Sequence, residues 1–250
     1  MNRQRSFALA LLAFLGVAGG GGSARADGVV ADLSSHLIAI TTGFTGASVV
    51  LFGATEGRGD IVAIVRGPEH EVTVWRKGKV AGIWVNAESV MFSNVPSFYT
   101  VATSRPLDEI IAPGPAALYR IGTANLKLQA KSPATPEEAT RFGAALIAEH
   151  QRDGLFAANP SKIAFLGERL FRATIAFPAN VPTGTYIVEI FLVRDRDVVS
   201  GQTTPLVVSK VGIDAEVSDF ATRQAAAYGA IAVLGALVAG WLASLPFRSV

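Results

Sequence analysis

The chain has 250 residues, half of them apolar and 17% charged, with 22 basic and 20 acidic side chains; that balance supports a packed core and excludes a disordered chain. It contains no cysteine, which excludes disulfide frameworks, thiolate metal sites and cysteine nucleophiles while leaving the redox compartment open. Three of the basic residues, Arg3, Arg5 and Arg25, fall in a segment expected to be removed, so 19 remain against 20 acidic ones, without the clustered cations that nucleic acid binding requires.

Residues 1–26 have the three parts of a secretory signal: Arg3 and Arg5, an apolar run from Phe7 to Ala18, and small residues ending in Ala24-Arg25-Ala26. Cleavage before Asp27 is expected. Short β-rich runs then follow at close spacing, at 37–42, 47–54, 61–65, 71–75, 80–85, 89–92 and 98–102. Gly43, Gly57-Arg58-Gly59, Gly67-Pro68 and Lys77-Gly78-Lys79 read as turns between them. About seven strands in one stretch predict an N-terminal β-sandwich domain over 27–104, with a barrel as the alternative closure.

A helical connecting segment is expected over 105–157. Ser104-Arg105-Pro106-Leu107 offers a cap and an early proline for a short helix that stops before Pro113-Gly114-Pro115, and a second short helix is read at 116–121. Thr135-Pro136-Glu137-Glu138 is a well-formed helix start, with a capping oxygen, a proline in the first turn and glutamates that oppose the macrodipole. That helix is predicted to run to Asp153, to bury Ala139, Phe142 and Leu146, and to stop at Gly154.

A second β region, immunoglobulin-like in style, is expected over 158–217, with strands at 163–166, 171–177, 185–193, 198–202 and 205–211. The segment 179–184 is read as a turn and Arg194-Asp195-Arg196-Asp197 as a charged hairpin tip. A juxtamembrane segment (218–227) leads to Tyr228–Leu245, 18 residues without a charge, which as a helix reach about 27 Å and match the hydrocarbon core of a bilayer. The fold class is therefore mainly β, with short helices between the β regions and one C-terminal transmembrane helix. Residues 246–250 form the expected cytoplasmic tail, with the N-terminal bulk in the periplasm of a bacterial inner membrane. Ala232, Ala236 and Gly240 recur every fourth residue along the span and form a candidate helix-pairing stripe.

Motifs that would carry chemistry are missing. His36, His70 and His150 lack the paired spacing of metal ligands, and Ser34-Ser35-His36 lacks the strand-turn-helix context of a nucleophile elbow. Gly53, Gly57 and Gly59 are followed by a strand where a phosphate loop needs a helix. Asp195, Asp197, Asp214, Glu216 and Asp219 do not match a calcium loop. No catalytic, metal or cofactor-binding residue is assigned, and no small molecule is implied. The aromatics Trp75, Trp84, Phe98 and Tyr99 form a candidate interaction surface against the alternative of core packing.

The signal, Leu170-Phe171-Arg172-Ala173-Thr174, Thr41-Thr42-Gly43-Phe44-Thr45-Gly46, Arg66-Gly67-Pro68, the segment Pro178-Ala179-Asn180-Val181-Pro182-Thr183-Gly184-Thr185-Tyr186 and the C-terminal span together resemble the alphaproteobacterial putative transmembrane protein family. The resemblance covers almost the whole chain after the signal. It implies no activity and transfers no catalytic residue; some members are expected to be encoded near sulfite-exporter-type permeases. The expected function is a non-enzymatic, membrane-anchored periplasmic module that binds another envelope protein such as a transporter. An anchored enzyme, or a small-ligand carrier with a site between the β regions, is the alternative.

Overall fold

The computed structural model describes residues 28–80, 82–131, 134–212 and 221–244. The expected signal, the cytoplasmic tail, Leu245, residues 218–220 and the acidic positions Asp214, Glu216 and Asp219 lie outside the described residues.

Two sheets carry the body, and each draws on both ends of the chain. The first is four-stranded and antiparallel, ordered β1 (Val29–Leu33), β3 (Gly46–Thr55), β11 (Leu170–Pro178), β10 (Ala164–Leu166). The second is six-stranded, ordered β2 (Leu37–Ile40), β13 (Asp197–Lys210), β12 (Gly184–Arg194), β4 (Asp60–Arg66), β7 (Tyr99–Thr103), β9 (Ser161–Lys162). Alternation along β11 points Phe171, Ala173, Ile175 and Phe177 inward, where they meet Ile61, Ala63 and Val65 of β4 and Tyr186, Val188 and Ile190 of β12 in one core.

This corrects the division into two β domains. β3 pairs with β11, β4 with β12 and β2 with β13, so the segments 27–104 and 158–217 share their sheets and their apolar core. Neither buries a complete face alone: β3 needs β11 as its inner neighbour and β12 needs β4.

The other face of the six-stranded sheet holds a second core. Val62, Ile64, Tyr99, Val101, Phe191 and Val193 are covered there by Ile110, Ile111, Ala116, Ile121, Phe142, Leu146 and Phe156. These come from α1 (Leu107–Ile110), α2 (Pro113–Leu118), α3 (Pro136–Arg152) and the chain around them. Being covered on both sides explains why β4 is an unbroken apolar run from Ile61 to Val65 with no solvent face.

Helix α3 begins as its sequence predicts. The Thr135 side chain accepts from the Glu138 backbone N–H, while the Glu138 carboxylate accepts from the Thr135 N–H at 2.9 Å. Asp153 ends it and Gly154 follows at φ +72°, a left-handed position suited to glycine. Phe142 and Leu146 are buried with Gly143, whereas Ala139 is half-buried at the margin.

Other boundaries move. Ser104 does not cap α1; its hydroxyl donates to Asp60 Oδ1 at 2.8 Å and accepts from the Ile61 N–H, and Pro106 stands at the cap with no side-chain bond. The strands expected at 198–202 and 205–211 are one strand, β13. Pro205 is tolerated within it because pairing with β2 starts only at Val207. The expected charged tip is the β12–β13 turn, where Arg194 pairs with Asp197 and Asp195 and Arg196 both take positive φ. β1 lies in a stretch where no strand was expected.

Candidate functional site: an exposed hairpin arm

β5 (Glu69–Val80) and β6 (Ile83–Pro96) form a long antiparallel hairpin. The strand expected at 80–85 in fact spans its turn: Val80 pairs with Ile83 and Gly82 adopts φ +87°. Lys77-Gly78-Lys79, expected to be a turn, lies inside β5, with Gly78 opposite Val85. Near its root the hairpin joins the second core through Val74, Val90, Phe92 and Val95. β8 (Gln129–Ala130) pairs with β6 only at Phe92 and Ser93. Among the described residues, therefore, no further strand lies beside the ribbon from Trp75 to Ser89.

This outer half exposes large apolar side chains: Trp75, Ile83 and Trp84 are 55, 68 and 67% exposed, and Val85 is exposed with them. Register places Lys79 opposite Trp84 and Lys77 opposite Asn86, so both lysines share Trp84's face of the ribbon. Arg76 pairs with Glu88, which also lies 3.4 Å from Arg141 of α3, and Lys131 pairs with Glu71. The junction of arm and helix leaves a shallow open depression lined by Val74, Trp75, Arg76, Arg141, Phe142 and Ala145. Large apolar groups left this exposed bury little surface within the folded chain.

Phe98 and Tyr99, which the sequence grouped with these tryptophans, do not join them. Phe98 is 2% and Tyr99 0% exposed. Neighbours in an extended segment point to opposite faces, and here both faces are covered. Phe98 stacks on Phe177 at 5.0 Å in the first core, and Tyr99 meets Phe156 edge-on in the second.

The Tyr99 hydroxyl donates to the Arg120 carbonyl at 2.9 Å and accepts from the Gly122 N–H at 2.8 Å. Burial pushes this phenol up to about 12, against the pull of the Arg66 cation. Arg66 donates to the Tyr119 carbonyl at 2.6 Å and pairs with Glu189. These contacts pin the loop after α2, where Arg120 and Gly122 hold positive φ. The bonds of this network run to backbone or between its members, with Arg66 Nε buried and without a hydrogen-bond partner.

The histidines are dispersed. His36 Nε2 lies 2.9 Å from Asp32 at the surface, His70 stands opposite Val95, and His150 packs on Phe156 while its Nδ1 meets the Leu146 carbonyl at 3.1 Å. Ser34 accepts from the Val50 N–H and Ser35 donates to the Leu37 carbonyl, so neither faces an imidazole as a nucleophile would. Among the described residues no group of three His, Asp or Glu side chains could hold a metal ion.

α4 (Ala225–Ser244) has 20 residues without a charge. Its residues as far as Trp241, including Ala232, Ala236 and Gly240, are exposed on every side. Among the residues whose side chains are described, which end at Trp241 in this helix, no helix is long and apolar enough to cross a membrane.

A family model described as "Putative transmembrane protein (Alph_Pro_TM)" matches residues 28–249. The chain belongs to this family. No curated protein matches it. Among solved structures it is similar to a sporulation control protein of Bacillus subtilis, Spo0M, at 10% identity and a TM-score of 0.28, over 78% of this chain. The match spans 54% of that protein's length, and a likeness this weak carries no argument.

Proposed function

We propose that this family member is a membrane-anchored recognition module of the cell envelope, non-enzymatic, with its sandwich in the periplasm and α4 crossing the inner membrane. The 20 residues of α4 reach about 30 Å as a helix, the thickness of a bilayer's hydrocarbon core. A helix apolar on all sides needs either a protein interior or lipid around it. The family description supports association with a membrane. The sandwich, immunoglobulin-like in this reading, serves as a rigid mount for the arm.

The observation that carries the reading is the arm itself. Trp75, half out of the body beside the depression at α3, offers a slot for an apolar side chain of another envelope protein, such as a transporter. Arg76 and Arg141 at its rim give such a contact a polar border. The interior between the sheet and α3 is filled by the second core, which leaves little space for the alternative of an enzyme or carrier site there.

The test is purification of the full-length protein from membranes in mild detergent, beside a form truncated before Tyr228 and a Trp75→Ala variant, with bound proteins identified by mass spectrometry. A partner held by full-length protein and lost with Trp75→Ala is expected. No reproducible partner in any form overturns the reading.

A further inference from the structure

We infer that the tip of the hairpin arm, centred on Ile83-Trp84-Val85 with Lys77 and Lys79, is a second membrane contact that inserts into the interface of an anionic bilayer. The inference rests on the reading of α4 as the anchor and extends it to a surface apart from the Trp75 depression. Trp84 stands opposite Lys79, four residues and about 13 Å beyond Trp75 along the ribbon.

Three observations select lipid as the occupant. The first is composition: at the tip Ile83, Trp84 and Val85 are large apolar side chains, and all three are exposed. Tryptophan combines a large apolar ring with an N–H donor and favours the headgroup level of membranes.

The second is charge. Arg76 is matched by Glu88, while among the described residues Lys77 and Lys79 form no ion pair. Both lie on Trp84's face, where long side chains can snorkel to phosphate as the indole settles into the interface. An apolar tip with a collar of unmatched cations complements a negatively charged lipid surface.

The third is reach. Arg66 pairs with Ile187 near the start of β12, and β12's first residue pairs with Val208 near the end of β13. The chain into the arm and the chain toward α4 therefore leave the six-stranded sheet at the same end. Beyond Val74, which is held in the second core, β5 runs from Trp75 to Val80 and extends about 20 Å. Ten residues, 211–220, lie between Lys210 and the helical turn that begins at Ala221, and ten residues span at most about 35 Å, so arm and helix can engage one bilayer together.

The absence of cysteine permits labelling at single positions of the full-length chain. Asn86→Cys sits two residues from Trp84 on the same face and leaves the tip intact; Leu166→Cys labels an exposed site on the four-stranded sheet; Leu237→Cys labels α4. Each variant carries an environment-sensitive fluorophore and is reconstituted into vesicles of phosphatidylethanolamine and phosphatidylglycerol containing a lipid-borne quencher.

Strong quenching at 86 and 237 but not at 166 is expected. It should weaken at 86 alone when phosphatidylcholine replaces the anionic lipid. Adding Lys77→Gln and Lys79→Gln should shift the inserted population at 86 by about 30-fold, roughly fivefold per lysine. Quenching at 237 without quenching at 86 overturns this inference and leaves the anchor standing. No quenching at 237 overturns the anchor reading and this one with it. A label at 86 shielded from aqueous iodide yet untouched by the lipid-borne quencher assigns the tip to a protein partner, which also overturns it.

Discussion

Tyr99→Phe removes one oxygen from a place where both of its bonds are accounted for. The Gly122 N–H then has no acceptor, at about 1–3 kcal/mol for a buried group. The Arg120 carbonyl keeps Arg66 as a donor at 3.3 Å, so its loss is nearer 1 kcal/mol. Together the change lowers stability by about 2–4 kcal/mol, with no loss of apolar packing because the ring stays against Phe156.

The same hydroxyl has a pH signature. Its folded pKa of about 12 stands above the ordinary 10.0, so its stabilisation is complete below pH 10 and is lost as pH rises toward 12. Two units correspond to roughly 2.7 kcal/mol. Urea unfolding of the full-length protein in detergent, repeated from neutral pH to pH 12, reads both effects. The variant starts lower and declines less steeply, keeping the share due to Tyr186, whose phenol burial also pushes up to about 12. A variant within 0.5 kcal/mol of the parent near neutral pH, the range of ordinary surface changes, or one with the parent's full alkaline decline, refutes the argument.

Thr135→Ala breaks the capping box of α3 and should cost about 1 kcal/mol in the same unfolding assay. Gly53→Ala places a methyl 2.5 Å from the Val30 carbonyl oxygen and 2.6 Å from the Phe171 ring; a loss of about 1–3 kcal/mol is expected from overpacking between β1 and β11. Trp75→Ala should leave the urea midpoint nearly unchanged while removing the co-purified partner, since the side chain is more than half exposed. The Arg105 guanidinium beside Asp60 holds that carboxylate below its ordinary 3.8; its stabilisation is present above that value and is lost as pH falls through the lower folded pKa. Arg105→Ala should therefore flatten the acid limb of the stability profile.

Local signals were legible in the sequence. The start of α3 is written in four consecutive residues, because a capping box involves only its own turn. The β12–β13 tip is likewise local, its four residues setting both turn and register. The joining of the two β regions was not legible: Leu51 pairs with Ala173, and alternation along either strand says nothing about which distant strand completes its face. Phe98 and Tyr99 read like Trp75 and Trp84 because all are aromatics; what separates them is burial by distant segments, Phe98 against Phe177 in the first core and Tyr99 against Phe156 in the second. The arm was hidden by Lys77-Gly78-Lys79, whose glycine imitates a turn, while the working turn two residues later lay inside an apolar run.

The interleaving of early and late strands sets a timetable for folding. A chain made from its N-terminus has β4 complete at residue 66, but its neighbour β12 extends to Arg194 and β13, on which β2 depends, to Lys210. At 5–20 residues per second, that leaves an interval of roughly 7–30 s in which β2, β3 and β4 lack their late partners. Only 14 residues lie between Lys210 and the first residue of α4, so the body closes almost as α4 emerges. For most of its synthesis the chain offers open strand edges to whatever escorts it, and a truncation anywhere before β13 yields an incomplete sheet instead of a smaller domain.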